Sequence, residues 1–135
     1  MPIRILIADD DPAIRRLFRR LLEAHAGWQV CGEAVNGVDA IEKVALEAPD
    51  LAILDLGMPL KNGIEAARAI SRTNPALPLL LISVQEMSDQ LVAAAQEAGF
   101  RGGITKSRGL EVVKGVEAVL HNQVFFHRDS STPLK

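Results

Sequence analysis

The sequence predicts an α/β domain with a doubly wound, parallel five-stranded sheet between two layers of helices. Three observations carry that prediction. Short β-rich apolar runs alternate with longer segments of helical period, giving five strand–helix units in succession. The first and third runs are almost unbroken in their hydrophobicity, as in strands covered on both faces. Each connection is long enough to carry a crossover helix, and such crossovers are right-handed.

The elements follow in order. Ile3–Ala8, interrupted only by Arg4, is the first strand. Asp11 can cap the next helix, and Pro12 suits its first turn, where a missing N–H costs nothing. Ile14, Leu17, Phe18, Leu21 and Leu22 then recur at helical spacing, and Gly27 marks the stop. Trp28–Ala34 is the second strand, and Asn36 opens a helix carrying Val38, Ile41, Val44 and Ala45. Residues 51–54 form the third and most hydrophobic strand, ending directly on Asp55. A loop leads to a helix with Asn62 as cap and Glu65 three residues on. Residues 78–82 are the fourth strand, and a helix over 86–98 stops at Gly99. Residues 100–105 make a poor fifth strand, because Gly102 and Gly103 fall inside it. A last helix places Leu110, Val113, Val116 and Leu120 on one face, and the chain turns polar from Gln123. The expected division is therefore a domain over 1–122 and a tail or linker over 123–135.

Bulk composition narrows the class. The 135 residues suit one domain, and 48% hydrophobic with 24% charged residues is ordinary for a globular protein. Fifteen basic against 17 acidic residues leave a net charge of −2, so no global basic field draws the chain to nucleic acid or to an anionic membrane. No apolar run approaches the ~20 residues of a spanning helix. The start, Met-Pro-Ile-Arg, lacks the pattern of a signal peptide. The single cysteine, Cys31, excludes an internal disulfide and reads as a small core residue. A cytoplasmic protein is expected. His25, His121 and His127 show no metal-ligand spacing and are expected at the surface.

The chemistry gathers where the strands end. Ligands of doubly wound sheets bind at the carboxyl ends of the strands. Here those ends carry Asp9 and Asp10, then Asp55, Ser83 and Lys106. Two carboxylates ~5 Å apart repel by roughly 3 kcal/mol at an effective dielectric near 20. A hard divalent cation offsets that cost, and Mg²⁺ accepts one or two carboxylates together with waters and phosphate oxygens. With a metal and Lys106 beside it, Asp55 can stay ionised and attack phosphorus, while Lys106 and Ser83 contact the phosphoryl oxygens.

The ordered set Ile-Leu-Ile-Ala-Asp9-Asp10, Leu-Asp55-Leu-Gly-Met-Pro59 with Asn62-Gly63, Leu-Ile-Ser83 and Lys106 resembles the receiver domains of bacterial two-component response regulators, over about residues 3–121. The resemblance implies a flavodoxin-like three-layer fold with strand order 2-1-3-4-5. It implies Asp55 as phosphoacceptor, with Mg²⁺ (or Mn²⁺) held by Asp9, Asp10, Asp55 and the backbone carbonyl of Gly57. Ser83 becomes the switch hydroxyl and Lys106 the phosphate-binding cation. The implied donor is a sensor histidine kinase or a small acyl phosphate. The domain itself is then no turnover enzyme, its transfer and slow dephosphorylation being self-catalysed. The implied state is a monomer or weak homodimer that switches a partner or a C-terminal helix-turn-helix DNA-binding domain in transcription regulation. A stand-alone receiver is the other reading of the tail. No direct nucleic-acid contact is expected from these residues, which hold no recognition helix.

Two positions depart from that family's pattern. Gly103 stands three residues before Lys106, where an aromatic is common, and Ser107 follows the lysine where proline is common, so a trans peptide is expected. With no tyrosine in the chain, any change on phosphorylation is expected to stay near the loop after the fourth strand and the next helix. Other readings remain at this stage. Asp10 and Asp11 precede a helix, so capping alone can explain one of them, and Ser83 with Glu86 has the spacing of a capping box. An aspartate-nucleophile phosphatase would need an acid two residues after Asp55, where Gly57 stands. A degenerate receiver serving as a phosphorylation-independent docking module is the alternative that Gly103 suggests.

Overall fold

The computed structural model describes residues 2–126. Its strands are β1 (Ile3–Ala8), β2 (Trp28–Ala34), β3 (Leu51–Asp55), β4 (Leu79–Ser83), β5 (Gly102–Thr105) and β6 (Phe125–Phe126). Its helices are α1 (Pro12–Glu23), α2 (Gly37–Glu47), α3 (Gly63–Thr73), α4 (Asp89–Ala98) and α5 (Val112–Leu120), the last preceded by a 3-10 turn at Lys106–Glu111. The sheet order is β2-β1-β3-β4-β5-β6, with every pairing parallel. The expected order 2-1-3-4-5 is present, and a sixth strand joins the β5 edge.

Strand alternation divides the core. Ile5 and Ile7 of β1 join Ile53, Leu80 and Ile82 in a layer under α1 and α5, with Phe18, Leu22, Val112, Val116 and Val119. Leu6 and Ala8 face the other way, against Leu54, Leu81, Ala66, Ile70 and Ala95 of the α2–α4 side. Both faces of β1, β3 and β4 therefore need apolar residues, which is why those runs are continuous.

The caps form as their residues suggest. Asp11 accepts from the Ala13 N–H at 2.9 Å, and Asn36 accepts from the Asp39 N–H at 2.7 Å. Asn62 and Glu65 complete a reciprocal capping box, each bond 2.9 Å. Gly99 ends α4 at φ +114°, a conformation that costs L side chains free energy.

Several expectations are corrected. Helix α1 closes at Glu23, short of Gly27, whose carbonyl instead accepts from the Ile3 N–H at 2.7 Å. On α2 the buried residues are Gly37, Ala40 and Val44, while Val38 and Ala45 point outward. Helix α4 begins at Asp89 under a Ser88 cap, not at 86, so Ser83 and Glu86 form no capping box. Leu110 lies in the 3-10 turn and is 75% exposed; the inner face of α5 is Val112, Gly115, Val116 and Val119. Phe125 and Phe126, within the expected tail or linker, pair with Gly102 and Gly103, which adds a strand there and leaves that division untested. Cys31 is half-buried where the β1–β2 register slips, so it packs less deeply than expected, and burial pushes its thiol up. His25 is half-buried, stacked on Trp28 with ring centroids 3.7 Å apart, whereas His121 is exposed and His127 lies outside the described residues.

No helix of the described residues is long and apolar enough to cross a membrane. No cis peptide occurs among them, so Ser107 follows Lys106 in trans.

Candidate metal and phosphoryl site

Parallel pairing brings four strand ends to one edge of the sheet. Asp9 and Asp10 follow β1, Asp55 ends β3, Ser83 ends β4 and Lys106 follows β5. Register sets Asp55 beside Ile82, and Ser83 beside Thr105. Asp9, Asp55 and Ser83 are buried, while Asp10 is exposed at the mouth. A cleft of about 200 Å³ is lined by Asp10, Asp55, Leu56, Gly57, Ser83, Val84, Gln85 and Lys106. All six residues expected from the sequence thus meet in one place, Asp9 beneath the rest.

The polar contacts are specific. Lys106 Nζ lies 2.9 Å from Asp9 Oδ2 and 3.3 Å from Asp55 Oδ2. Asp9 Oδ1 accepts from the Asp11 N–H at 2.8 Å, and Asp55 Oδ1 accepts from the Gly57 N–H at 3.3 Å. Ser83 Oγ accepts from the Gln85 N–H at 2.9 Å. Burial, then the Asp9 charge, push the Asp55 carboxyl above its ordinary range, against the pull of Lys106 and the Gly57 N–H. For Lys106, burial works downward, but Asp9 and Asp55 outweigh it and hold the ammonium above its usual range.

The donor set fits Mg²⁺. One carboxylate oxygen each from Asp9, Asp10 and Asp55 lies within 4.8 Å of the others. Asp9 Oδ2 is buried and makes no well-aligned hydrogen bond; the Lys106 ammonium is its charge contact only. A cluster of oxygens, without thiolate or imidazole, suits a hard cation.

The raised Asp55 carboxyl sets a pH dependence. Because its folded pKa exceeds the unfolded value of about 4, its ionisation destabilises the metal-free fold. Stability is expected to fall as pH rises from about 4 through the raised pKa, then to level off. Urea midpoints measured in chelator should show that decline, and Mg²⁺ should remove it. A flat metal-free profile would count against the strained carboxylate.

Sequence reasoning missed Arg15. Its Nη1 donates to the Asp9 carbonyl at 2.6 Å while its Nε pairs with Glu33 at 2.8 Å. Glu33 is held in turn by Arg19 Nε at 2.8 Å. Burial works to raise Glu33, yet Arg19 and Arg15 outweigh it and hold its carboxyl below the usual range. The guanidinium therefore braces the end of β1 while its charge is already paired. Arg15→Ala is expected to weaken Mg²⁺ binding roughly tenfold, the scale of lost supporting contacts around a metal. Tighter binding in a metal titration would mean that Arg15 acts through charge instead. Its signal lay in the helical spacing, which turns residue 15 back towards the strand end.

Comparison with known proteins agrees with this geometry. The family model described as response regulator receiver domain matches residues 5–116. The response regulator GacA of Pseudomonas viridiflava is 33% identical over 122 residues, covering 90% of this chain and 56% of that protein. A protein-glutamate methylesterase/protein-glutamine glutaminase of Myxococcus xanthus is 38% identical over 98 residues, covering 73% of this chain and 28% of that protein. The chain thus spans between about a quarter and a little over half of these relatives' lengths. Among solved structures, a LuxR-family two-component response regulator from Aurantimonas superposes with a TM-score of 0.87 at 32% identity, covering 93% of this chain and 89% of that one. Fold, acidic cleft and sequence converge, and the chain belongs to the response regulator receiver domains.

Proposed function

We propose that Asp55 accepts a phosphoryl group from the phosphohistidine of a sensor kinase, or from a small acyl phosphate, and that the added charge switches an output domain or partner. The observation that carries this reading is Asp55 itself: a buried carboxylate at a strand end, 3.3 Å from an ammonium and grouped with two further carboxylates. Asp9, Asp10 and Asp55, with the Gly57 carbonyl, would hold Mg²⁺. When bound, Mg²⁺ neutralises charge on the phosphoryl oxygens. An Asp55 oxygen forms the new O–P bond as the donor's N–P or O–P bond breaks, and the bonding pair leaves with the donor atom. Lys106 offers its ammonium to one phosphoryl oxygen and the Ser83 hydroxyl donates to another.

The test is chemical. The protein should gain one phosphoryl group from acetyl phosphate with Mg²⁺ and none in chelator. Borohydride reduction should then leave homoserine at position 55. Label at any other residue would sink the assignment. Lys106→Ala should slow uptake on the order of 100-fold, the usual scale for a lost charge-stabilising donor.

The matches to GacA-like regulators cover more of this chain than the methylesterase match does. With a putative transcriptional regulator of Pseudomonas aeruginosa matching at 34% identity, that supports a transcription regulator; the cytoplasmic location, the helix-turn-helix output and the absence of turnover belong to our reading. Equal partner binding with and without a phosphoryl mimic would favour a phosphorylation-independent docking module instead.

A further inference from the structure

The Gly102–Gly103 pair is the feature of the sequence that the phosphoacceptor reading leaves unused. Both glycines are buried in β5. A Cβ on Gly102 would lie 2.6 Å from the Phe125 carbonyl oxygen and 2.9 Å from Val119 Cγ2. A Cβ on Gly103 would lie 3.0 Å from both Met87 Sδ and Phe126 Cδ1. The missing side chains thus give room to β6 at one position, and to Met87 and Phe126 at the other. Phe125 N–H donates to the Arg101 carbonyl at 2.9 Å, and Gly103 stands in register with Phe126.

Met87 reports on the loop that leaves the site. Val84, Gln85 and Glu86 are exposed, so Met87, 4% exposed, is the apolar anchor between Ser83 and the Ser88 cap of α4. At its other end the loop is tied by the Gln85 N–H to Ser83 Oγ. One short loop therefore links the hydroxyl in the cleft to a side chain that shares the space over Gly103 with Phe126.

We propose that Met87 and Phe126 form a latch over Gly103, through which the phosphoryl state of Asp55 controls docking of the segment after α5 on the β5 edge. The inference rests on the phosphoacceptor reading. A Ser83 hydroxyl drawn to a phosphoryl oxygen gives up the Gln85 N–H, and the freed loop re-seats Met87. Phe126 then loses one wall of its seat. A two-residue, half-buried edge strand stands at the low-stability end of a fold, so a small loss of contact shifts its docking equilibrium. The signal reaches Phe126 without any aromatic at position 103.

Amide exchange on the full chain tests the latch, with beryllofluoride and Mg²⁺ as the phosphoryl mimic. The Phe125 amide, bonded to the Arg101 carbonyl, should exchange roughly tenfold faster with the mimic than with Mg²⁺ alone. In unmodified protein, Met87→Ala should give fast exchange there with no further response, and Met87→Leu should restore protection. Both variants should still take up one phosphoryl group at Asp55, since neither removes a residue that lines the cleft. Unchanged protection at Phe125 while Ser83 and Gln85 respond would overturn the latch and leave the phosphoacceptor reading standing. Unchanged exchange in Met87→Ala would overturn it without any mimic. A mimic that leaves the Gln85 amide unaltered would overturn the coupling, whereas homoserine missing from position 55 after borohydride would overturn the phosphoacceptor reading.

Discussion

Asp55→Asn is expected to take up no phosphoryl group from acetyl phosphate and Mg²⁺ under conditions where the parent protein is fully labelled. The amide preserves shape but removes the anionic oxygen that must form the new O–P bond. Lys106 and Ser83 remain, yet they only stabilise charge that no longer develops. The same substitution should act oppositely on the metal-free fold. It removes a buried charge that burial and Asp9 both disfavour, so the chelator-treated variant should unfold at a higher urea concentration than the parent, and the pH slope above about 4 should vanish. Its response to Mg²⁺ should shrink, because one of three grouped carboxylates is gone. Stabilisation by a ligand reaches about 2.7 kcal/mol at 100 times its dissociation constant, so the difference is measurable in a thermal shift. Labelling of Asp55→Asn at the parental yield would remove Asp55 from its role. Lower apo stability in the variant would instead mean that the Lys106 contact outweighs the burial of the charge.

Gly63→Ala carries the second large effect, and it joins stability to chemistry. A Cβ at Gly63 would stand 2.5 Å from the Asp55 carbonyl oxygen, 2.9 Å from its carbonyl carbon and 3.0 Å from Leu56 Cα. All three are main-chain atoms, so no side chain can swing away. The Gly63 N–H also donates to the Leu56 carbonyl at 3.0 Å, which ties the start of α3 to the end of β3. The added methyl should cost about 3 kcal/mol, at the upper end for overpacking a filled interior. A fall in Tm on the order of 10 °C follows for a domain of this size. The shift falls on the backbone of the phosphoacceptor, so uptake in the folded fraction should slow by roughly 10- to 100-fold, as expected for displaced reacting groups. Gly57→Ala is the stability control, because nothing lies within 4 Å of a Cβ there. Parental Tm in Gly63→Ala would show that the loop absorbs the methyl. Lost stability with parental uptake would show that Asp55 is not moved.

Helix starts were legible because caps act within three or four residues: Asp11, Asn36 and Asn62 each bond an N–H of their own first turn. The start of α4 is not legible locally, because Ser83 and Ser88 both precede acceptable first turns and spacing cannot rank them. The Ser83 hydroxyl is turned to the loop amide of Gln85, and Ser88 takes the cap through the Leu91 N–H at 3.1 Å. Leu110 was misplaced for a related reason: the 3-10 turn changes the period before α5 begins, which rotates the apolar face onto Val112, Val116 and Val119.

The strand–helix alternation, the two-sided burial of the central strands and the residues at their carboxyl ends are written in the amino-acid order. Those are local patterns, and in a parallel sheet strand ends fall on one edge by topology alone. The tertiary structure decided what depends on close approach between distant segments. It seats Lys106 against Asp9 and Asp55, braces Asp9 with Arg15, and presses Gly63 onto the Asp55 backbone. It also turns Gly102 and Gly103 from apparent defects of a strand into the bed for β6. A glycine declares in the sequence that space is needed; only the packed chain says which side chain takes it.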